Sequence, residues 1–207
     1  MDGSEVEIKR GRKYEQVIAG ARDVFLSEGF EGASVDLIAR RAGVSKATLY
    51  SYFTDKRMLF LEVAQQECAV QSARVMEMDG ADLPVREMLL GMGFKMTSFL
   101  TSKFAHRIFK ICVAESDRFP ELGRNFYLSG PQLIHDRLAA YLHHACQRGE
   151  LEIDDVSLAA HQFKELVKAD VFVKMVFNVI DAPDPDQLER VVTSAVDMFL
   201  ARYQPKV

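Results

Sequence analysis

The chain has 207 residues, 48% hydrophobic and 27% charged, a balance that suits a globular protein and excludes gross disorder. No apolar run approaches the roughly 18 residues of a membrane-spanning helix, and the basic start MDGSEVEIKRGRK lacks the apolar stretch of a secretory signal. The net charge of −4 hides an asymmetry: residues 9–57 hold ten Lys/Arg against six Asp/Glu, so a basic N-terminal quarter precedes an acidic body. Such a division points the first part of the chain towards a polyanion. The three cysteines (Cys68, Cys112 and Cys146) are far apart and lack zinc or redox spacing, so they read as small buried hydrophobes. Cytoplasm is the expected compartment.

The elements are predicted to be helical throughout. Val17, Ile18, Ala21, Val24 and Phe25 recur at helical spacing and predict a helix over 12–28. Gly29 suits a left-handed C-terminal position, with Phe30 packing back. Ser34 is placed to cap a second helix carrying Ile38, Ala39 and Ala42, with Asp36 in its first turn. Gly43 ends it. Ser45 caps a third helix reaching about Phe53, and Thr54 is expected to cap a fourth, with Phe53 and Met58 forming a hydrophobic staple.

Longer helices follow. Asp82 and Pro84 open one with Val85, Met88, Leu89, Met92, Met96, Phe99 and Leu100 on one stripe. The next holds Ile108, Ile111 and Cys112 and stops before Pro120. Another is predicted from about Glu121 to Arg148, with Pro131 as a kink or restart and Gly149 ending it. Asp154 or Asp155 caps a helix expected to end near Ile180. The segment APDPD (182–186) precedes a last helix with Leu188, Val192, Ala195, Phe199 and Tyr203. The expectation is an all-α chain of about nine helices, with an N-terminal three-helix helix-turn-helix domain and a larger C-terminal helical bundle.

The stretch 34–53 has the order of a helix-turn-helix motif, its second and third helices joined by Ala42-Gly43-Val44-Ser45. The third helix would bury Leu49 and Phe53 and leave Lys46, Ala47, Thr48, Tyr50, Ser51 and Tyr52 on its free face. Small residues near its start allow close approach to a DNA major groove about 12 Å wide. The hydroxyls of Thr48, Tyr50 and Tyr52 can donate to phosphate oxygens, and helix N-terminal amides favour phosphate. Ser34 and Ser45 stand at two such N-termini and join the DNA-binding candidates. Lys46 is the cation placed near the bases; Lys56 suits the flanking backbone.

VIAGARDVFLSEGFEGASVDLIARRAGVSKATLYSYFTDKRMLF (17–60) resembles the N-terminal domain of the TetR family of transcriptional regulators. The resemblance implies base contacts at Lys46 and Ala47 and phosphate contacts at Thr48, Tyr50, Tyr52 and Lys56. Two departures are visible. Ala47 stands where glycine is common, and Arg57 replaces a frequent glutamate, which removes an acid from a first helical turn and can add a phosphate contact. The stretch AESDRFPELGRNFYLSGP (114–131) also resembles the effector domain of an AcrR-like subset. The family's organisation implies a DNA-binding domain over 11–71 and a ligand-binding and dimerisation domain over 72–207.

The C-terminal region concentrates Met88, Met92, Phe94, Met96, Phe99, Phe104, Phe109 and Cys112 within 25 residues. This pattern fits a bundle core; it also fits an adaptable apolar pocket. Family resemblance favours a small-molecule site, with Met92, Met96, Phe99, Phe104, Ile108, Ile111 and Cys112 as its wall and Arg107, Glu115, Tyr127 and His135 as its polar contacts. His143 and His144 are adjacent and diverge, and His161 with Glu165 supplies too few ligands for zinc. No metal, cofactor or catalytic constellation is expected. The run VFVKMVFNVI (171–180) is apolar nearly all round and must be covered. With the last helix it can form a two-fold interface, so a homodimer through the last two helices (about 155–203) is expected.

The sequence therefore predicts a non-enzymatic, ligand-responsive DNA-binding regulator. The expected form is a repressor released from a palindromic double-stranded operator by a largely apolar effector, with the fourth helix as the lever. Two other readings stay open: an activator of the same family, or an all-α ligand-binding protein or enzyme that uses the N-terminal bundle as an interaction module.

Overall fold

The computed structural model describes residues 11–76 and 83–206, with the side chains of Cys68 and of residues 71–76 outside that description. The expectations at Asp82 and for the Cys68 side chain therefore lie outside the described residues. Eleven α-helices and one π-helical turn follow in order, and no strand occurs among the described residues. They are α1 (Arg12–Gly32), α2 (Val35–Ala42), α3 (Lys46–Tyr52), α4 (Lys56–Met76), α5 (Val85–Leu100), α6 (Lys103–Glu115) and α7 (Pro120–Tyr127). After the π turn (Leu128–Gln132) come α8 (Leu133–Gln147), α9 (Val156–Leu166), α10 (Phe172–Val176) and α11 (Pro185–Tyr203). The chain forms two compact units. Of the described residues, one holds those through Glu67 together with Ile111–Phe126; the other holds those from Cys68 to Lys110 and from Tyr127 on.

In the first unit, α1 and α2 meet almost backbone to backbone. A Cβ on Gly20 would lie 2.7 Å from the Ala42 amide nitrogen and 2.8 Å from its Cα, so only glycine allows this approach. Phe25, Phe30 and Phe60 then close the core, with ring centroids 5.1 Å apart for Phe25–Phe60 and 5.3 Å for Phe30–Phe60. Phe60 brings α4 into this cluster. Gly29 does turn the chain so that Phe30 packs inward, but not as a left-handed cap. Its dihedrals (φ 73°, ψ −178°) interrupt the helix, which resumes to Gly32.

The second unit is built on α11 lying along α5 and α9 lying along α8. Met88, Leu89, Met92 and Met96 of α5 pack with Leu138 and Leu142 of α8, Phe163 of α9, and Val196 and Phe199 of α11 in one buried cluster. Thr97 is the polar exception. Its hydroxyl donates to the Gly93 carbonyl at 2.8 Å or the Val167 carbonyl at 3.0 Å, so the buried oxygen is satisfied and α5 is tied to the end of α9. Pro131 has no N–H to offer, and the helical run from Pro120 passes it through the π turn and continues as α8.

Three expectations require correction. The fourth helix is capped by Asp55, not Thr54: the Asp55 carboxylate accepts from the amides of Arg57 at 2.8 Å and Met58 at 3.0 Å. The Phe53–Met58 staple is absent, because Phe53 is buried while Met58 is 52% exposed. The helix begun at Val156 ends at Leu166, not near Ile180. Beyond it Asp170 and Asn178 adopt positive φ (66° and 54°), a conformation their short polar side chains tolerate, and only α10 is helical between them. Among the described residues there are eleven helices where about nine are expected, because this region and the Pro120–Arg148 segment are each divided.

Gly20→Ala tests the α1–α2 approach. Helix propensity alone would make it stabilising, but the clash is with backbone that cannot swing aside. The expected result in urea denaturation is a loss of about 1–3 kcal/mol, typical of overpacking.

Candidate nucleic-acid interface

The geometry of the interface starts at the end of α2. Gly43 takes a left-handed conformation (φ 65°), and the Val44 amide returns to the Ala39 carbonyl at 3.0 Å while the Gly43 amide reaches the Arg40 carbonyl at 3.2 Å. These bonds close α2 in a Schellman arrangement and turn the chain within two residues. Ser34 opens α2 by accepting from the Leu37 amide at 3.1 Å, and Ser45 opens α3 by accepting from the Thr48 amide at 3.0 Å. Both serines are exposed, so each cap oxygen lies at the protein surface.

One side of α3 is anchored. Leu49 and Phe53 are buried, and Phe53 stacks on Tyr14 of α1 with ring centroids 5.7 Å apart. Tyr52 meets the same Tyr14 ring edge-on at 5.7 Å. The Tyr14 hydroxyl donates to the Glu62 carboxylate of α4, and the Gln66 amide donates to that carboxylate at 2.8 Å. A single tyrosine thus links α1, α3 and α4. Sequence reasoning missed it, because a tyrosine inside an apolar stripe carries no signal of its cross-chain partners.

The other side of α3 faces outward. Lys46, Ala47, Tyr50 and Ser51 are exposed, with Tyr50 at 45%, and Thr48 and Tyr52 are half-buried. Their hydroxyls are partly preorganised: Ser45 Oγ and Thr48 Oγ1 are 2.8 Å apart, and Ser51 donates to the Thr48 carbonyl at 2.7 Å. The cations stand at the edges. Lys46 Nζ lies 3.0 Å from Asp36 on α2, and this hydrogen bond and charge raise its pKa, so it stays protonated. Lys56 Nζ donates to the Phe30 carbonyl at 2.6 Å and sits 4.4 Å from that ring's centroid.

Arg57 is more engaged than a phosphate-seeking side chain. Its guanidinium pairs with Asp55 at 2.5 Å and lies 4.3 Å from the Phe119 ring centroid. The pairing holds the Asp55 carboxyl below the usual range, through its hydrogen bond to Arg57 first and then through the backbone amides it caps.

The residues predicted to contact a ligand are found in both units. Met92, Met96 and Ile108 are buried, and Phe99 and Phe104 are half-buried, within the second unit. Ile111, Cys112 and Glu115 belong to the first, with only Cys112 buried. Arg107 and Tyr127 are exposed. His135 is buried, and its nitrogens are taken within α8 and α9. Nε2 is 3.2 Å from the Ser157 carbonyl and Nδ1 is 3.1 Å from Asp136. Its ring stacks on His161 with centroids 4.2 Å apart, while Glu165 pairs with Lys168 at 2.6 Å. No group of three or more metal-ligating side chains occurs among the described residues.

A short helix with a free polar face, set by a capped turn on a packed three-helix base, defines a helix-turn-helix DNA-binding protein. Residues 17–63 match the profile of bacterial regulatory proteins of the tetR family, and residues 87–205 match that of the AefR-like transcriptional repressor C-terminal domain. The chain belongs to the TetR family of transcriptional regulators, which are DNA-binding proteins rather than enzymes.

Among solved structures, it is similar to a TetR-family regulator from Mesorhizobium loti (27% identity, 94% of this chain and 98% of that one, TM-score 0.88). It is also similar to the flavonoid-responsive regulator FrrA (34% identity, 95% of this chain and 100% of that one, TM-score 0.78). Among characterised relatives, the transcriptional repressor AcnR of Corynebacterium diphtheriae is 25% identical across 93% of this chain and 92% of its own length. The transcriptional activator FasR of Mycolicibacterium smegmatis is 41% identical over 59 residues, 28% of this chain and 27% of its own.

The Asp55 cap gives a pH-dependent prediction. A carboxyl with a depressed folded pKa stabilises above the ordinary aspartate range and loses that contribution as pH falls through its folded value. Asp55→Ala is expected to cost about 1 kcal/mol at neutral pH, with part of its charge effect screened by solvent. In thermal melts across an acid series, the gap between variant and parent should close as pH drops.

Proposed function

We propose that the protein is a ligand-responsive repressor that binds a palindromic operator as a homodimer. The DNA-binding region is 11–71 and the ligand-binding and dimerisation region is 72–207. The observation that carries the reading is the free face of α3, with hydroxyls and small residues at its centre and lysines at its rim. Lys46 and Ala47 approach the bases; Thr48, Tyr50, Tyr52 and Lys56 hold the phosphates, with the Ser34 and Ser45 helix starts beside them. Two copies of α3 enter successive major grooves about one turn apart. Repression is favoured over activation because AcnR, a repressor, is similar across nearly the whole chain, while FasR is similar only across its N-terminal part. The protein acts in the cytoplasm, where the operator is.

Dimerisation is supported by apolar side chains left exposed in a single chain. Val173 is 64% exposed, Phe177 74% and Val179 68%, and Met198 on α11 is 58% exposed. Apolar exposure on this scale, close in sequence, marks an interaction surface, and a second copy of the same helices is its occupant.

The effector is aromatic and largely apolar, of the flavonoid class that FrrA's name records. The methionine- and phenylalanine-rich α5 and α6 suit such a ligand. Its binding weakens DNA binding, and DNA weakens its binding equally.

Footprinting on the DNA flanking the protein's own gene should reveal a protected palindrome at low salt; none would count against the whole reading. On that site Tyr50→Ala should weaken binding about tenfold, as loss of a phosphate hydrogen bond from each subunit predicts, and unchanged affinity would remove Tyr50 from the interface. Phe177→Glu should turn the dimer into a monomer in sedimentation velocity.

A further inference from the structure

The first helical turns of α6 and the short helix α10 share a seam inside the second unit. Phe109 meets Phe172 edge-to-face with centroids 5.1 Å apart, and Lys110 Nζ donates to Asn178 Oδ1 at 3.2 Å. His106 lies three and four residues before these, on the same face of α6, beside the backbone of Met175. Its Nε2 is closed off from solvent and meets no hydrogen-bonding group among the described residues.

We infer that His106 is an effector-contacting residue whose Nε2 lone pair accepts a hydrogen bond from a hydroxyl of an aromatic ligand. The inference rests on the flavonoid-class reading above and names the chemistry by which this chain would hold such a ligand. A buried polar atom without a partner in a native structure needs a reason, because leaving it unpaired is costly. The Met175 carbonyl favours a proton on the imidazole. In the tautomer protonated at Nδ1, the unpartnered Nε2 is a bare acceptor, and this is the form that a ligand hydroxyl would complete.

The ring also stays neutral. Burial lowers its pKa first, and the positive charges of Lys110 and Arg107 lower it further. A neutral acceptor of this kind selects against a carboxylate, which would bring lone pairs against a lone pair. A phenolic hydroxyl brings the missing donor. The Phe109–Phe172 ring pair one turn along the same face of α6, and the Met175 beside His106 through its backbone, suit the rest of an aromatic molecule.

The test uses the full-length protein and two probes, apigenin (a trihydroxyflavone) and its tri-O-methyl ether, with affinities measured by calorimetry. The parent protein should bind apigenin about tenfold more tightly, the scale of one buried hydrogen bond, because methylation removes every donor. His106→Phe keeps an aromatic ring but no acceptor and should bind both compounds alike; His106→Leu takes its place if circular dichroism shows that the first variant does not fold. Equal binding of both flavones by the parent, or a preference that survives in a folded His106 variant, overturns the role of His106 and leaves the flavonoid reading standing. A parent protein that binds neither flavone overturns both.

Discussion

The approach of α1 to α2 at Gly20 and Ala42 is the constraint on which the helix-turn-helix depends. With a backbone atom of Ala42 where any larger residue would place its Cβ, α2 sits against α1 with no slack. The turn at Gly43 then leaves from a fixed point, and its two backbone bonds set the direction of α3. Because Leu49 and Phe53 point into the bundle, the remaining face of a seven-residue helix must point out. So short a helix has little stability of its own, and packing of that one face holds it.

Helix ends account for much of the remaining organisation. Ser34, Ser45, Asp55, Asp155 and Asp184 each accept a backbone amide at the start of a helix. Some of these caps have a second job. Asp55 caps α4 and pairs with Arg57, which in turn lies on the Phe119 ring, so one carboxylate organises the corner that follows α3. Asp170, at the break after α9, binds Lys174 at 2.5 Å and Arg190 of α11 at 3.0 Å. The break that shortens α9 is thereby tied to the last helix. These pairs are exposed, so their value lies more in fixing geometry than in stability.

The cations near α3 stand at the edges of its exposed face. Lys46 is held to Asp36 and Lys56 to the Phe30 carbonyl, each at the edge of the α3 face. Hydroxyls and small residues are left at the centre of that face. In the second unit the logic is reversed. Thr97 and His135 are buried with their polar atoms paired, and the unpaired Nε2 of His106 stands apart from them.

The sequence by itself determined the all-helical class, the order of the helix-turn-helix, and the caps at Ser34 and Ser45. Each is written in local spacing and in side chains that reach only three residues along the chain. It also marked Leu49 and Phe53 as anchors, because helical periodicity separates a buried face from a free one. Three things came only from tertiary structure. Tyr14 links α1, α3 and α4 through groups 38 to 52 residues away. Arg57, the ion-pair partner of Asp55, lies over the ring of Phe119, far along the chain. The helix begun at Val156 stopped at Leu166, where Thr97 takes the Val167 carbonyl and Asp170 turns towards α11. A local pattern can say which residues prefer to be inside; it cannot say which distant group will meet them there. His106 illustrates this: in the sequence it is an ordinary histidine on a basic helix, and only the packing of α6 against α10 leaves one of its nitrogens without a partner.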